Sequence, residues 1–291
     1  MKVFIVGASG LVGSHCLKNC QENGWETIGS HLSFPTAETI YFDALAQDIG
    51  EYFMLIDFKP DVIIHCAALT NVDYCESHIE ESYEKTVAPT ERLASYCIEQ
   101  NVKLVYVSTD YIFDGLNGPY SEDAPVNPLN IYGKHKLQGE QIVSRVKNNL
   151  IVRITNVYGE ELRAKNFISR LLLNLENNDA KALNLPYDQF ATPVYAGDIA
   201  RMIFHLLSDK KCGIYNLSST DYINRYQLAI KVKSYFINNK SIVLQAVMTS
   251  SSSQTALRPL NGGLLNIKFI GEYPLFQFTS VDTFILKSLK K

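Results

Sequence analysis

The stretch Val3-Phe4-Ile5-Val6-Gly7-Ala8-Ser9-Gly10-Leu11-Val12-Gly13 decides the fold of this chain. Its first four residues are apolar and aromatic or β-branched, the composition of a strand buried on both faces. Helical spacing then runs from Leu11 to about Asn23 and stops at Gly24. Between strand and helix lies Gly-x-x-Gly-x-x-Gly. One glycine allows the tight turn, another lets backbone approach a pyrophosphate, and a third lets the helix pack on the sheet. The helix N-terminus offers free N–H groups and a positive dipole end to phosphates. Gly7, Ser9, Gly10, Leu11, Val12 and Gly13 are therefore expected to cradle a dinucleotide, with a purely structural turn as the alternative.

The same strand–helix rhythm continues outward. Residues 26–30, 61–66, 103–108 and 150–154 read as strands, and 80–100 and 132–147 as helices, the former with Pro89 inside its pattern. Such alternation implies βαβ units and a parallel sheet, hence a Rossmann-type, doubly wound α/β fold. Beyond residue 155 the rhythm loosens, and Pro186, Pro193, Pro259 and Pro274 punctuate the chain. The expected organisation is a dinucleotide-binding domain over 1–155, with segments near 196–235 returning to it. A smaller, interleaved substrate lobe is expected mainly from 156–195 and 236–291. Residues 249–253, Thr-Ser-Ser-Ser-Ser, read as a loop or linker.

Composition narrows the classes. Of 291 residues 46% are hydrophobic and 20% charged, which fits a globular chain rather than a disordered one. A formal charge of -3 and the lack of a basic block argue against nucleic-acid binding. Lys287, Lys290 and Lys291 read as a solvated tail. No stretch approaches the roughly 18 apolar residues of a membrane span, so a soluble cytoplasmic protein is expected. The six cysteines form no Cys-x-x-Cys. Cys16 and Cys20, four apart on a helix, and His65 beside Cys66 read better as packing than as metal ligands.

Cofactor choice turns on the end of the second strand, where an acid about 20 residues on usually binds the ribose 2′-hydroxyl of NAD. Gly29, Ser30, His31 and Leu32 stand there, with neither a carboxylate nor an arginine. The balance leans to NADP(H), contacted by Ser30 and His31, with NAD(H) as the alternative. Asp43 is expected either to reach the adenine or to cap a helix. Ala67 and Ala68 end the third strand, where small side chains let a cofactor lie close.

Tyr132 stands four residues before Lys136 in Ile-Tyr-Gly-Lys-His-Lys, at the start of a helix. A lysine one turn on lies on the same face, and its charge favours the phenolate, so the tyrosine can exchange a proton. A free tyrosine has a pKa of about 10, and moving it by about three units takes roughly 4 kcal/mol. That demands a further cation and hydrogen bonds. Ser108-Thr109-Asp110-Tyr111 ends the fourth strand, on the side where ligands bind open parallel sheets. Thr109 is placed to hydrogen-bond the same substrate oxygen as Tyr132; a capped turn is the plainer reading.

These segments together resemble an extended short-chain dehydrogenase/reductase. More closely, the chain is similar to the dTDP-4-dehydrorhamnose reductase family, which includes the regulatory β subunit of methionine adenosyltransferase. The resemblance is carried by residues 7–13, His-Cys-Ala-Ala-Leu-Thr-Asn-Val-Asp at 65–73 and Ser-Thr-Asp-Tyr-Ile-Phe-Asp-Gly at 108–115. Pro-Leu-Asn-Ile-Tyr-Gly-Lys-His-Lys-Leu-Gln-Gly-Glu at 128–140, Arg-Ile-Thr-Asn-Val-Tyr-Gly at 153–159, Asp-Gln-Phe-Ala-Thr-Pro at 188–193 and Leu-Arg-Pro-Leu-Asn at 257–261 complete it.

The resemblance implies hydride transfer from a nicotinamide to C4 of a nucleotide-linked 4-keto-6-deoxysugar. Tyr132 would protonate the alkoxide, Lys136 would lower its pKa and hold the nicotinamide ribose, and Thr109 would orient the ketone. Thr70, Asp110, Tyr111, Asn156 and Arg258 are implied as substrate contacts. Arg258 would face the nucleotide diphosphate or else form a structural salt bridge. Asn156 stands where relatives often have tryptophan, and Lys85 where many have asparagine; Lys85 is open to a proton relay or to pairing with Glu81. No metal is carried over, and a homodimer is left open. An epimerase or dehydratase of the same superfamily, and a non-catalytic NADP-binding regulatory subunit, stand as alternatives.

Overall fold

The computed structural model describes every residue except Lys240, Ser252, Ser253 and Lys291. Seven strands make one sheet: β1 (Lys2–Val6), β2 (Glu26–His31), β3 (Thr39–Tyr41), β4 (Val62–His65), β5 (Lys103–Thr109), β6 (Leu150–Ile154) and β9 (Gly213–Asn216). Their order is β3-β2-β1-β4-β5-β6-β9, and every pairing is parallel. The order reverses between β1 and β4, and a crevice opens there at the carboxyl ends of the strands.

Alternation within the strands distributes the core. Val3, Ile5, Val62, Ile64, Val105, Val107 and Val152 face α1 (Leu11–Glu22) and α7 (Ala196–Ser208). Phe4, Ile63, Leu104, Tyr106 and Ile151 face α2 (Ile49–Leu55), α4 (Ile79–Gln100) and α5 (Ile131–Val143). Successive strand residues point to opposite faces, so each apolar run supplies both layers. Cys16 and Cys20 are buried in the first layer. Between β4 and α4 lies the short helix α3 (Val72–Ser77).

The lobe gathers α6 (Phe167–Glu176), the parallel pair of β7 (Lys181–Pro186) and β11 (Ile242–Val247), α8 (Arg225–Lys233) and α10 (Val281–Ser288). Leu171, Leu175, Leu228, Val232, Ile242 and Phe284 make its core. A two-stranded antiparallel pairing joins β8 (Phe190–Ala191) to β10 (Ile223–Asn224).

Within 196–235, α7 and β9 are the segments that join the sheet, whereas Leu228, Ala229 and Val232 of α8 pack into the lobe. Within 236–291, expected to be mainly lobe, Phe269 of α9 (Ile267–Glu272) is buried in the sheet's core, with Tyr273, Phe276 and Phe278 against it. The apolar stripe of each helix decides its layer, and the position in the chain does not. The second long helix ends at Val143, four residues earlier than its sequence pattern, in a series of turns through Val146. In the expected loop at 249–253, Thr249–Ser251 form a 3-10 turn, and Ser252 and Ser253 lie outside the described residues. Of the lysine tail, Lys291 likewise lies outside them.

Candidate active site

The glycine turn stands at the reversal point of the sheet. Gly7 has φ +83°, and a Cβ there would sit 2.9 Å from the backbone N of Ala67 at the end of β4. A Cβ on Gly13 would lie 2.3 Å from the Gly7 carbonyl oxygen. The turn is therefore bare backbone by necessity, the form a pyrophosphate requires. Helix α1 starts on Gly10 with no side-chain cap, which leaves its first N–H groups to an anion. Ser9, Leu11 and Val12 lie within this turn, Ala67 and Ala68 follow β4, and all five are partly exposed. These features fit a dinucleotide.

The end of β2 departs from expectation. Ser30 is buried, and its hydroxyl donates to the Ile5 carbonyl at 3.2 Å, because a hydroxyl inside the sheet needs a partner there. It does not point to a 2′-phosphate. The His31 ring bonds Thr39 Oγ1 at 2.8 Å. Asp43 Oδ1 accepts from the Leu45 N–H at 2.9 Å, the turn-capping role rather than a free adenine contact.

Thr109, Tyr132 and Lys136 come together across β5 and α5. Asn130 caps α5 by accepting from the Gly133 N–H at 2.8 Å, which sets Tyr132 in the first turn. Burial holds the Tyr132 phenol well above its ordinary value, the Thr109 hydroxyl opposes that shift, and Asp110 and Tyr111 add to it. Lys136 is buried, donates to the Val107 carbonyl at 2.6 Å and lies 4.0 Å over the Tyr106 ring. Burial brings its pKa down to about 7, with Glu140 and Cys66 pulling the other way. The ammonium thus answers to strand β5 beneath it, and it is absent from the leading influences on Tyr132. The sequence expectation that Lys136 lowers the tyrosine is not visible in this arrangement.

Beside this group a pocket is lined by Asp110, Tyr111, Asn156, Gln189, Phe190 and Arg225, among others. The Tyr111 ring meets Tyr132 edge-on at 5.7 Å. Asn156, in the left-handed region at φ +41°, accepts from Arg225 Nη2 at 3.2 Å. Arg225 stacks on Phe167 at 4.6 Å. Sequence reasoning missed Arg225, which lies 69 residues from Asn156 with no motif around it.

Two expected substrate contacts are otherwise engaged. The Asp110 carboxylate accepts from Thr155 at 2.6 Å and from the Gly263 N–H at 3.2 Å, fastening β5 to the C-terminal segment. Burial nonetheless raises its pKa. Arg258 pairs with Asp73 at 2.8 Å and donates to the Ala256 carbonyl, which is the salt-bridge alternative. Thr70 is exposed in the loop after β4. Lys85 is exposed on α4 and pairs with Glu81 one turn before it. His65 is fully buried against Thr90 and Tyr106, as strand-end packing requires.

A family model described as the RmlD substrate binding domain matches residues 1–279. The chain belongs to this family. Among similar proteins is the methionine adenosyltransferase 2 subunit beta of Bos taurus, 31% identical over 273 residues, covering 90% of this chain and 80% of that one. Another is the dTDP-4-dehydrorhamnose reductase of Aggregatibacter actinomycetemcomitans, 31% identical over 277 residues and covering 90% of each. Among solved structures, the dTDP-4-dehydrorhamnose reductase of Bacillus anthracis in complex with NADP matches with a TM-score of 0.84 and 26% identity. It covers 100% of this chain and 99% of its own. No helix among the described residues is long and apolar enough to cross a membrane.

Proposed function

We propose that this RmlD-family chain reduces the C4 ketone of a nucleotide-linked 4-keto-6-deoxysugar, with NADP(H) preferred and NAD(H) accepted. The observation that carries this reading is Thr109 at the carboxyl end of β5 acting on Tyr132, with Lys136 one turn further along α5, in the same parallel sheet whose β1 leads into the glycine turn. Family membership makes the chain an NAD(P)-dependent oxidoreductase; the sugar and the residue roles are our inference.

The bound nicotinamide supplies the hydride. The chain supplies position and a proton. Burial keeps the Tyr132 phenol protonated at neutral pH, so it stands loaded to give its proton to an oxygen gaining negative charge. The Thr109 hydroxyl acts on the same phenol and orients the ketone. Lys136, with a pKa near 7, would hold the ribose from its place one turn further along α5. Arg225 and Asn156 line the pocket where the diphosphate would lie, and a guanidinium suits that anion. Arg258 is committed to Asp73 and serves the wall of the site.

The test is a panel of nucleotide-linked 4-ketosugars with NADPH and NADH, followed by loss of reduced-nicotinamide absorbance. Turnover is expected with at least one ketosugar. Tyr132→Phe should cut it by at least about 100-fold with cofactor affinity unchanged. Full activity in that variant would sink the mechanism.

A second reading rests on the similarity to methionine adenosyltransferase 2 β subunits over 90% of this chain. On that reading the chain is a cofactor-binding regulatory subunit. Inactivity across the panel, together with stoichiometric co-purification of a methionine adenosyltransferase, would favour it.

A further inference from the structure

The chain carries no cation at the end of β2, where an arginine usually accommodates the 2′-phosphate of NADP. Ser30 is turned inward and His31 is held by Thr39. A cation nonetheless reaches this place from elsewhere. Arg163, in the segment between β6 and α6, lays its guanidinium 5.1 Å from the ring centre of Phe34, which follows β2. Its Nη2 lies 3.7 Å from where a Cβ on Gly10 would be. The side chain thus bridges the loop after β2 and the second glycine of the turn.

Its bonding is incomplete. Arg163 Nε is buried with no hydrogen-bond partner. Among the described residues, no carboxylate forms a salt bridge with the guanidinium. A buried, unpaired donor on a cation is costly, and an arriving anion would relieve that cost.

The segment that carries it is fixed at several points. The His15 ring bonds the Glu160 carbonyl at 3.1 Å, and Tyr195 donates to the Glu160 carboxylate at 2.8 Å. Glu161 accepts from the Asn166 N–H at 2.6 Å, and Asn166 Nδ2 donates to the Gly159 carbonyl at 2.9 Å. Arg163 is therefore presented from a braced loop and needs no large rearrangement to act.

We propose that Arg163 binds the 2′-phosphate of NADP(H), supplying across the crevice the charge that β2 lacks. The assignment rests on the reading that the glycine turn cradles NADP(H). It makes Arg163 the residue that separates NADP(H) from NAD(H) in this chain. The guanidinium is planar and matches phosphate oxygens in pairs, while Phe34 holds its face.

The experiment is equilibrium binding of NADPH and NADH to the full chain and to the Arg163→Gln and Arg163→Lys variants, read by protein fluorescence. Arg163→Gln should weaken NADPH by about 10- to 100-fold and leave NADH within about twofold. Arg163→Lys should recover part of the loss, and 2′-AMP should compete better than 5′-AMP only when Arg163 is present. Equal weakening of both dinucleotides would move the contact to the pyrophosphate and overturn the assignment. Unchanged NADPH binding, or an unmutated chain that prefers NADH, would overturn it while leaving the cradle intact. An unmutated chain that binds neither dinucleotide would remove the cofactor reading and this assignment together.

Discussion

Arg153 and Glu140 form a buried ion pair through two hydrogen bonds, Nε to Oε1 at 3.0 Å and Nη2 to Oε2 at 2.8 Å. Their side chains are 4% and 5% exposed. The pair fastens α5, which carries Tyr132 and Lys136, to β6. Removing one partner strands a charge in the interior. Arg153→Met should cost about 3–5 kcal/mol in denaturant unfolding. Adding Glu140→Leu should restore most of that loss, since the desolvation cost leaves with the second charge. Additive losses would show that the pair is not the coupling element.

Lys136 has a pKa of about 7 because it is buried. Ribose hydroxyls and phosphate charges of a bound cofactor would favour the ammonium form, so cofactor binding should raise this value. Between the free and the bound pKa, binding must then take up a proton. Calorimetric titration of NADP(H) at pH 8 in buffers of different ionisation enthalpy should show that uptake. Lys136→Met should abolish it.

His65 is pushed down to about 3 by burial, with Lys136 adding to the effect, from an ordinary value of 6.5. Its folded-state pKa is depressed, so the unfolded chain binds the extra proton between these values. Stability that is full above pH 6.5 should fall as pH drops towards 3, by about 1.4 kcal/mol per pH unit from this residue alone. His65→Leu should flatten the acid limb of the stability curve by that amount. An unchanged slope between pH 6 and pH 4 would exclude His65 as a source.

Arg225 faces the pocket with Asn156 at its side and no salt bridge to a carboxylate among the described residues. Arg225→Ala should raise the KM for a nucleotide sugar by about 10-fold or more, the worth of a charge-assisted contact. NADPH affinity should stay the same. A fall in kcat at constant KM would place Arg225 in the chemistry instead of in substrate holding.

What could be read early was local. The glycine turn, the apolar runs of β1 and β4 and the Tyr132–Lys136 spacing each depend on residues within one turn or one strand. What could not be read depends on partners far along the chain. Asp110 belongs with Thr155 and Gly263, Arg258 with Asp73, and Arg225 with Asn156. Ser30 shows the limit most plainly. Its position was right and its direction was not, because the Ile5 carbonyl of the neighbouring strand claims the hydroxyl. The core that α8 joins is likewise set by distant residues, Leu171, Leu175 and Phe284.

The interleaving of sheet and lobe has a consequence for how the molecule comes apart. Val194, Ile199 and Leu217 belong to the sheet's core, Leu228 and Ile242 to the lobe's, and Phe269 to the sheet's again, before Phe284 returns to the lobe. No single cut separates the two. A protease nick between α8 and β11 would leave both fragments holding pieces of both cores. Truncations aimed at a minimal nucleotide-binding half would forfeit β9 and the cover that α7 gives to α1. The two halves are made to be synthesised, folded and lost together.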